Sequence, residues 1–234
     1  MSHRKKPYRV KEVFYSLQGE GAQTGRPAVF CRFSKCNLWS GREADRATAI
    51  CRFCDTDFIG EDGQNGGRFE TAEALSAHLA QFWPDLALGR PYVIFTGGEP
   101  LLQLDDTLIE AMHLAGFEVA VETNGTLPLP DGLDWVCVSP KGTGKVVVTH
   151  CDEVKLVYPQ ADCPPEHCVG IAAEYYYLSP MDDWRGRKER THESAVGGCG
   201  EEFKHLNTQM ALNYSLKHPQ WRLTMQLHKL LGID

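Results

Sequence analysis

Three cysteines in the first quarter of the chain have the spacing of a metal centre. Cys51-Arg52-Phe53-Cys54 is a C-x2-C pair, and Cys36 stands before it across a fourteen-residue gap, giving C-x14-C-x2-C. A C-x2-C turn aims two thiolates at one centre, which suits zinc or an iron-sulfur cluster. With Cys31 added, the set would be a four-thiolate zinc site, C-x4-C-x14-C-x2-C. Cys31, however, lies in the alternating run Val29-Phe30-Cys31-Arg32-Phe33, where Val29, Cys31 and Phe33 share one strand face, so it reads better as a small buried hydrophobe. Cys36, Cys51 and Cys54 alone would leave one iron of a [4Fe-4S] cube open to a small molecule. On spacing alone, zinc and iron both stand.

The elements around these cysteines alternate between short apolar runs and helical patterns. Residues 27–34, 92–95, 117–121, 135–138, 153–158, 175–178 and 221–227 have strand character. Residues 69–83 carry Leu75, Leu79 and Phe82 at helical spacing behind Thr71 as N-cap, and residues 104–116 carry Leu108, Met112 and Ala115 before Gly116. A third helix is expected over 202–217. Such alternation predicts a parallel sheet with crossover helices. The fold class is therefore α/β: a single domain over 1–234, a partial or modified (βα) barrel of six to eight strands. In such a barrel the active site gathers at the C-terminal strand ends. Several strands here end in a polar cluster: Thr96-Gly97-Gly98-Glu99-Pro100, Glu122-Thr123-Asn124-Gly125, Ser139-Pro140-Lys141 and Ser179-Pro180-Met181-Asp182. Taken singly each is a turn; together they predict one pocket. The stretch 183–201, with Arg185, Arg187, Lys188 and Arg190, has no usable periodicity and reads as an irregular, solvated loop.

Composition narrows the chemistry. The chain has 234 residues and a formal charge of -7, which disfavours a nucleic-acid surface and leaves a small-molecule substrate. Nine cysteines, an odd number, follow a start without a hydrophobic leader, so thiols are expected rather than disulfides. No apolar run reaches the roughly 18 residues of a membrane span. The expected location is the cytoplasm.

The triad followed by Gly97-Gly98-Glu99-Pro100 resembles the radical S-adenosylmethionine superfamily, whose usual cysteine spacing is C-x3-C-x2-C. The longer gap here, residues 37–50, reads as a family-specific insertion in the cluster loop. Together with Ser16-Leu17-Gln18-Gly19-Glu20-Gly21, Cys54-Asp55-Thr56-Asp57 and Gln226-Leu227-His228-Lys229, it resembles the 7-carboxy-7-deazaguanine synthase family over nearly the full chain. The resemblance implies a [4Fe-4S] cluster on Cys36, Cys51 and Cys54, with S-adenosylmethionine chelating the open iron. It implies the conversion of 6-carboxy-5,6,7,8-tetrahydropterin to 7-carboxy-7-deazaguanine with loss of ammonia, in queuosine or other 7-deazapurine biosynthesis. Catalysis would rest on the cofactor radical. Leu17, Gln18, Gly19, Glu20, Arg32, Thr96 and the carboxylate end at Asp234 would meet the substrate. Phe53, Asp55, Gly98, Glu99, Ser139, Pro140, Lys141, Ser179, Pro180, Met181 and Asp182 would hold S-adenosylmethionine, and Thr56 would hold Mg2+. Arg32 also has a case of its own, since a guanidinium pairs a carboxylate bidentately. Partners implied are an electron donor such as flavodoxin or ferredoxin and a second copy of the chain in a homodimer.

Two rivals make different predictions. Another radical enzyme, such as a glycyl-radical activase, would act on a protein. A zinc-stabilised binding module would draw Cys31 into the ligand set.

Overall fold

The computed structural model describes residues 6–182 and 199–233. Among the described residues there are nine strands: β1 (Tyr8–Leu17), β2 (Pro27–Phe33), β3 (Gly67–Phe69), β4 (Tyr92–Gly97), β5 (Glu118–Thr123), β6 (Trp135–Val138), β7 (His150–Tyr158), β8 (Ala172–Pro180) and β9 (Trp221–Leu223). They form one sheet in the order β3-β1-β2-β4-β5-β6-β7-β8-β9. From β2 onward all neighbours run parallel, whereas β1 pairs antiparallel with both β2 and β3. The sheet is thus mostly parallel and open, the unclosed form of the expected barrel.

Alternation along the parallel strands separates two faces. Val29, Cys31 and Phe33 pair in register with Val93, Phe95 and Gly97, and this face continues through Val119, Val121, Val138, Val154, Leu156 and Leu178 into the main core. Helices α1 (Ala72–Ala80) and α2 (Asp106–Leu114) add to that core. Thr71 accepts the Ala74 N–H at 3.2 Å and Asp105 accepts the Leu108 N–H at 3.0 Å, so each helix starts on a side-chain cap. Leu75, Leu79, Leu108 and Met112 are fully buried, each side chain contributing about 1.5–3 kcal/mol. The remaining helices are α3 (Cys199–Lys217) and α4 (Leu227–Leu231).

Several boundaries differ from expectation for identifiable reasons. The first helix is shorter than 69–83 because Phe69 belongs to β3 and pairs with Tyr8. β9 ends at Leu223 rather than 227: the Thr224 N–H still donates to the Leu178 carbonyl, but residues 227–231 turn into α4. Helix α3 begins at Cys199, inside the stretch read as loop; residues 183–198 of that stretch lie outside the described residues. β1 and β3 had no counterpart in the pattern. A register shift between Val10 and Glu12 puts Val10 and Lys11, adjacent in sequence, both among buried residues, which breaks the period of two.

Candidate functional site

The face of the sheet opposite the main core carries the polar chemistry. Register places Arg32 beside Thr96, Glu122 beside Cys137, Cys137 beside Glu153, Lys155 beside Tyr177, and Val157 beside Ser179. This face opens into a cavity of about 290 Å³ at the C-terminal strand ends. Its lining brings together Leu17, Gln18, Gly19, Glu20, Arg32, Cys36, Cys51, Cys54, Asp55, Thr56, Thr96, Gly98, Ser139, Lys141 and Ser179. A larger surface groove of about 790 Å³, beside Lys6, Arg68 and Gln103, holds none of the predicted site residues. Volume is therefore a poorer guide here than the clustering of reactive side chains.

At the end of the cavity lined by the three thiols, Cys36 accepts the Leu38 N–H at 3.4 Å. The Cys51 thiol donates to Cys54, and that hydrogen bond, helped by the Lys141 charge and opposed by burial, brings the Cys54 pKa down to about 7. Thiolates are the form that binds iron; of the three thiols only Cys54 is lowered, while burial raises Cys36 and the hydrogen bond to Cys54 together with burial raises Cys51. Gly98 lies against the same turn: a Cβ there would sit 2.1 Å from the Lys35 carbonyl and 2.8 Å from the Cys36 Cβ. Only a glycine lets the two loops approach so closely. Among the described residues no three Cys, His, Asp or Glu side chains close on a single point, as a mononuclear ion requires. A cube offers a different iron to each thiolate, so three thiols spread along one cavity wall fit it. Cys31 is fully buried in the main core, its thiol pushed up by burial, and does not line the cavity. The zinc reading loses its fourth ligand.

At the opposite end lies a buried ionic network. Lys155 Nζ sits 3.0 and 2.9 Å from the two oxygens of Glu122 and 3.2 Å from Glu20 Oε2. Burial works against the ammonium, but Glu122 and Glu20 outweigh it and hold the Lys155 pKa well above its usual value. Gln18 donates to Glu122 at 2.6 Å, and the Ser179 hydroxyl donates to Glu20 at 2.6 Å. Glu153 accepts the Ala22 N–H at 2.7 Å, and burial raises its pKa. The loop after β1 thus plugs into β5, β7 and β8.

The chain's last segment closes the same wall. The Leu227 N–H donates to the Gly19 carbonyl at 2.9 Å, and the Gly21 N–H to Thr224 Oγ1 at 2.8 Å. Lys229 Nζ donates to Asp55 at 2.8 Å, Asp182 at 3.0 Å and Gln226 at 2.7 Å. His228 lines the cavity, and burial lowers its pKa.

Not every predicted residue points into the cavity. Glu99 is fully buried and engaged on both oxygens: Oε1 accepts from Leu101 N–H at 3.0 Å and Thr123 Oγ1 at 2.7 Å, and Oε2 from Asn124 N–H at 2.8 Å. It bolts the β4 turn to the β5 turn. Arg32 lines the cavity with its Nε on Glu12 at 2.6 Å. Phe53, Pro140, Pro180, Met181 and Asp182 are outside the lining, although Phe53 faces Lys141 Nζ at 5.7 Å and Asp182 is joined to it through Lys229. Asp234 lies outside the described residues. Glu122, Lys155 and His228 line the cavity with no role expected of them.

A mostly parallel sheet with three thiols and a glycine turn at its mouth defines the radical S-adenosylmethionine class, and residues 45–143 match the Radical SAM superfamily. That class carries a [4Fe-4S] cluster and S-adenosylmethionine. The fold is similar to that of QueE from Escherichia coli, with a TM-score of 0.65 at 23% identity over 95% of each chain. The chain is 54% identical to the 7-carboxy-7-deazaguanine synthase of Bordetella pertussis and 51% to that of Burkholderia multivorans, covering 97% of this chain and 99% of each relative. It belongs to the 7-carboxy-7-deazaguanine synthase family, and the activase and zinc readings fall away.

Proposed function

We propose that this chain is a 7-carboxy-7-deazaguanine synthase, a lyase that contracts 6-carboxy-5,6,7,8-tetrahydropterin to 7-carboxy-7-deazaguanine with loss of ammonia. The observation that carries the reading is one cavity with a thiol triad at one end and a buried, charged, hydrogen-bonding wall at the other. When bound, the cluster and S-adenosylmethionine supply the one-electron chemistry that removes a hydrogen atom from substrate C6. The protein supplies position, charge and exclusion of water.

Cys36, Cys51 and Cys54 hold the cluster. Gly98, Ser139, Pro140, Lys141, Phe53, Asp55, Glu99 and residues 179–182 shape the S-adenosylmethionine side, with Glu99 and Asp182 acting through Thr123, Asn124 and Lys229 rather than by direct contact. Leu17, Gln18, Gly19, Glu20 and Thr96 face the pterin. The polar edge of the ring meets groups already ordered by Glu122 and Lys155, so little reorganisation accompanies binding. Arg32 spends one N–H on Glu12, and its guanidinium carries four more for the substrate carboxylate. Asp234, outside the described residues, is assigned to the same substrate by the family resemblance alone.

Thr56 is part of the cavity lining, and its hydroxyl suits Mg2+ held jointly by substrate oxygens and water. The working protein is a cytoplasmic homodimer reduced by a small carrier such as flavodoxin or ferredoxin, and it binds no nucleic acid. Among the described residues no helix is long and apolar enough to cross a membrane. The chain is one radical domain over 1–234, with 37–50 as its insertion and 183–201 as an accessory stretch.

Anaerobic incubation with dithionite, S-adenosylmethionine, Mg2+ and the carboxy-tetrahydropterin tests the proposal. A 7-carboxy-7-deazaguanine product is expected. Turnover of S-adenosylmethionine without that product would refute it.

A further inference from the structure

The fourteen residues between Cys36 and Cys51 fold into something specific. Their two ends are tied together, since the N–H groups of Ile50 and Cys51 both donate to the Leu38 carbonyl, at 3.1 and 3.3 Å. Between those ends a 3-10 turn, Glu43–Thr48, presents Arg46 inward with its side chain only 10% exposed. Arg46 Nη1 donates to the Arg52 carbonyl at 3.1 Å and to the Cys54 carbonyl at 3.0 Å. Its Nε lies 3.0 Å from both oxygens of Glu43, and the guanidinium stacks 4.0 Å from the centre of the Trp39 ring. Trp39 in turn meets the buried Phe58 edge-on at 5.6 Å and lines the cavity.

Residues 51–58 have no regular secondary structure, so their carbonyls have no ladder or helix to accept from. With no ladder or helix to serve these carbonyls, one largely buried side chain donates to two of them across the C-x2-C turn. We infer that Arg46 is the positioning residue that sets the Cys51–Cys54 turn in its ligand geometry, and that the insertion exists to deliver it. The inference rests on those cysteines holding the cluster. Arg46 is not part of the cavity lining; it acts on the backbone of the ligands. A lysine would keep the charge but lose the planar fork that spans carbonyls, carboxylate and ring together.

The test compares anaerobically reconstituted wild type, R46K and R46M for iron and sulfide content, iron release to a ferrous chelator, and the electron paramagnetic resonance line shape of the reduced cluster. Losing a group that holds a metal ligand in place costs about 10–100-fold in metal affinity, so R46M should release iron at least about ten-fold faster than wild type. R46K should fall between the two, with a broadened signal. Melting of the cluster-free proteins serves as the control for folding, and a lost turn geometry should speed iron release beyond any change there. Wild-type release rates and line shapes in R46M would overturn the inference. If R46M does not fold, a wild-type rate in R46K would overturn it equally. A wild type that takes up no iron would fail earlier, at the cluster reading, and would take this inference with it.

Discussion

Lys155 Nζ lies within 3.0 Å of both carboxylate oxygens of Glu122, and the lysine side chain is only 5% exposed. This pair, with Glu20 at 3.2 Å, forms the floor of the cavity. Removing one partner of a buried pair leaves an uncompensated charge and costs about 3–5 kcal/mol. Lys155→Met should therefore lower unfolding stability by about that amount, read by urea denaturation of the cluster-free protein. Adding Glu122→Gln to it should recover part of the loss. Equal stability of wild type and Lys155→Met would show that the ionic floor contributes nothing.

The thiols divide sharply by environment. Cys36→Ser, Cys51→Ser and Cys54→Ser should each lose most bound iron, whereas Cys31→Ala, in the main core, should keep it. Iron and sulfide assays on proteins reconstituted together decide this. Iron loss in Cys31→Ala would return that residue to the ligand set.

Gly19 lies against the final segment. A Cβ there would sit 2.4 Å from His228 Nδ1 and 3.1 Å from the His228 backbone nitrogen. Gly19→Ala must push His228 and its neighbour Leu227 away, opening the wall proposed to face the pterin while leaving the cysteines untouched. Expected are an unchanged cluster content and a KM for the pterin raised by about ten-fold, equivalent to roughly 1.4 kcal/mol of binding. Unaltered pterin kinetics would show that the wall yields freely.

Lys229 gathers Asp55 and Asp182, two residues assigned to the proposed S-adenosylmethionine site. Lys229→Met leaves two partly exposed carboxylates facing each other. The dissociation constant for S-adenosylmethionine should rise about three- to ten-fold, since charged hydrogen bonds of this kind are worth about 1.5–3 kcal/mol before solvent screening. Calorimetry on cluster-loaded protein measures it. A larger effect on the pterin than on S-adenosylmethionine would contradict the assignment.

Two cavity-lining groups are among those through which acid lowers stability. Burial lowers the pKa of His228, so the folded state binds fewer protons there than the unfolded chain. Stability from this group is lost as pH falls from the ordinary histidine value through the lowered one. Glu20 is also lowered: burial opposes its charge, but Lys155 and the Ser179 hydroxyl outweigh burial. Its contribution is complete above the ordinary glutamate value and disappears as pH falls through the depressed one. Wild type should lose stability in two successive ranges. Glu20→Gln should keep the first loss and flatten the second, as followed by thermal melting across pH.

Periodicity made the parallel half of the fold legible. Apolar runs in β2, β4, β5 and β6 are buried on the core face, and the capped helices announce themselves through Thr71, Leu75, Leu108 and Met112. The bulged β1 was illegible because its buried residues do not alternate. Cys31 was read correctly because its neighbours do alternate. Lys155 was passed over inside an apolar strand. A signal was present: parallel strands are ordinarily covered on both faces, so Glu153 and Lys155 at alternate positions mark a face turned toward polar chemistry. Glu99 shows the converse limit. Its motif speaks of a cofactor, while its oxygens are spent on neighbouring turns, a fact that only the packing of β4 against β5 reveals.

The contacts joining Gly19 to Leu227 and Gly21 to Thr224 link residues some two hundred positions apart, the latter 203. Contacts of such sequence separation form late and slow a folding reaction, because the whole intervening chain must first be organised. Residues 36–54 can assemble among themselves once β2 and β4 have met. The wall that would hold the pterin cannot exist until residues 224–229 have been made and docked. A ribosome-bound chain or a fragment lacking that segment would thus carry the radical-generating half of the cavity without its substrate half, and completing the fold and acquiring selectivity become one event.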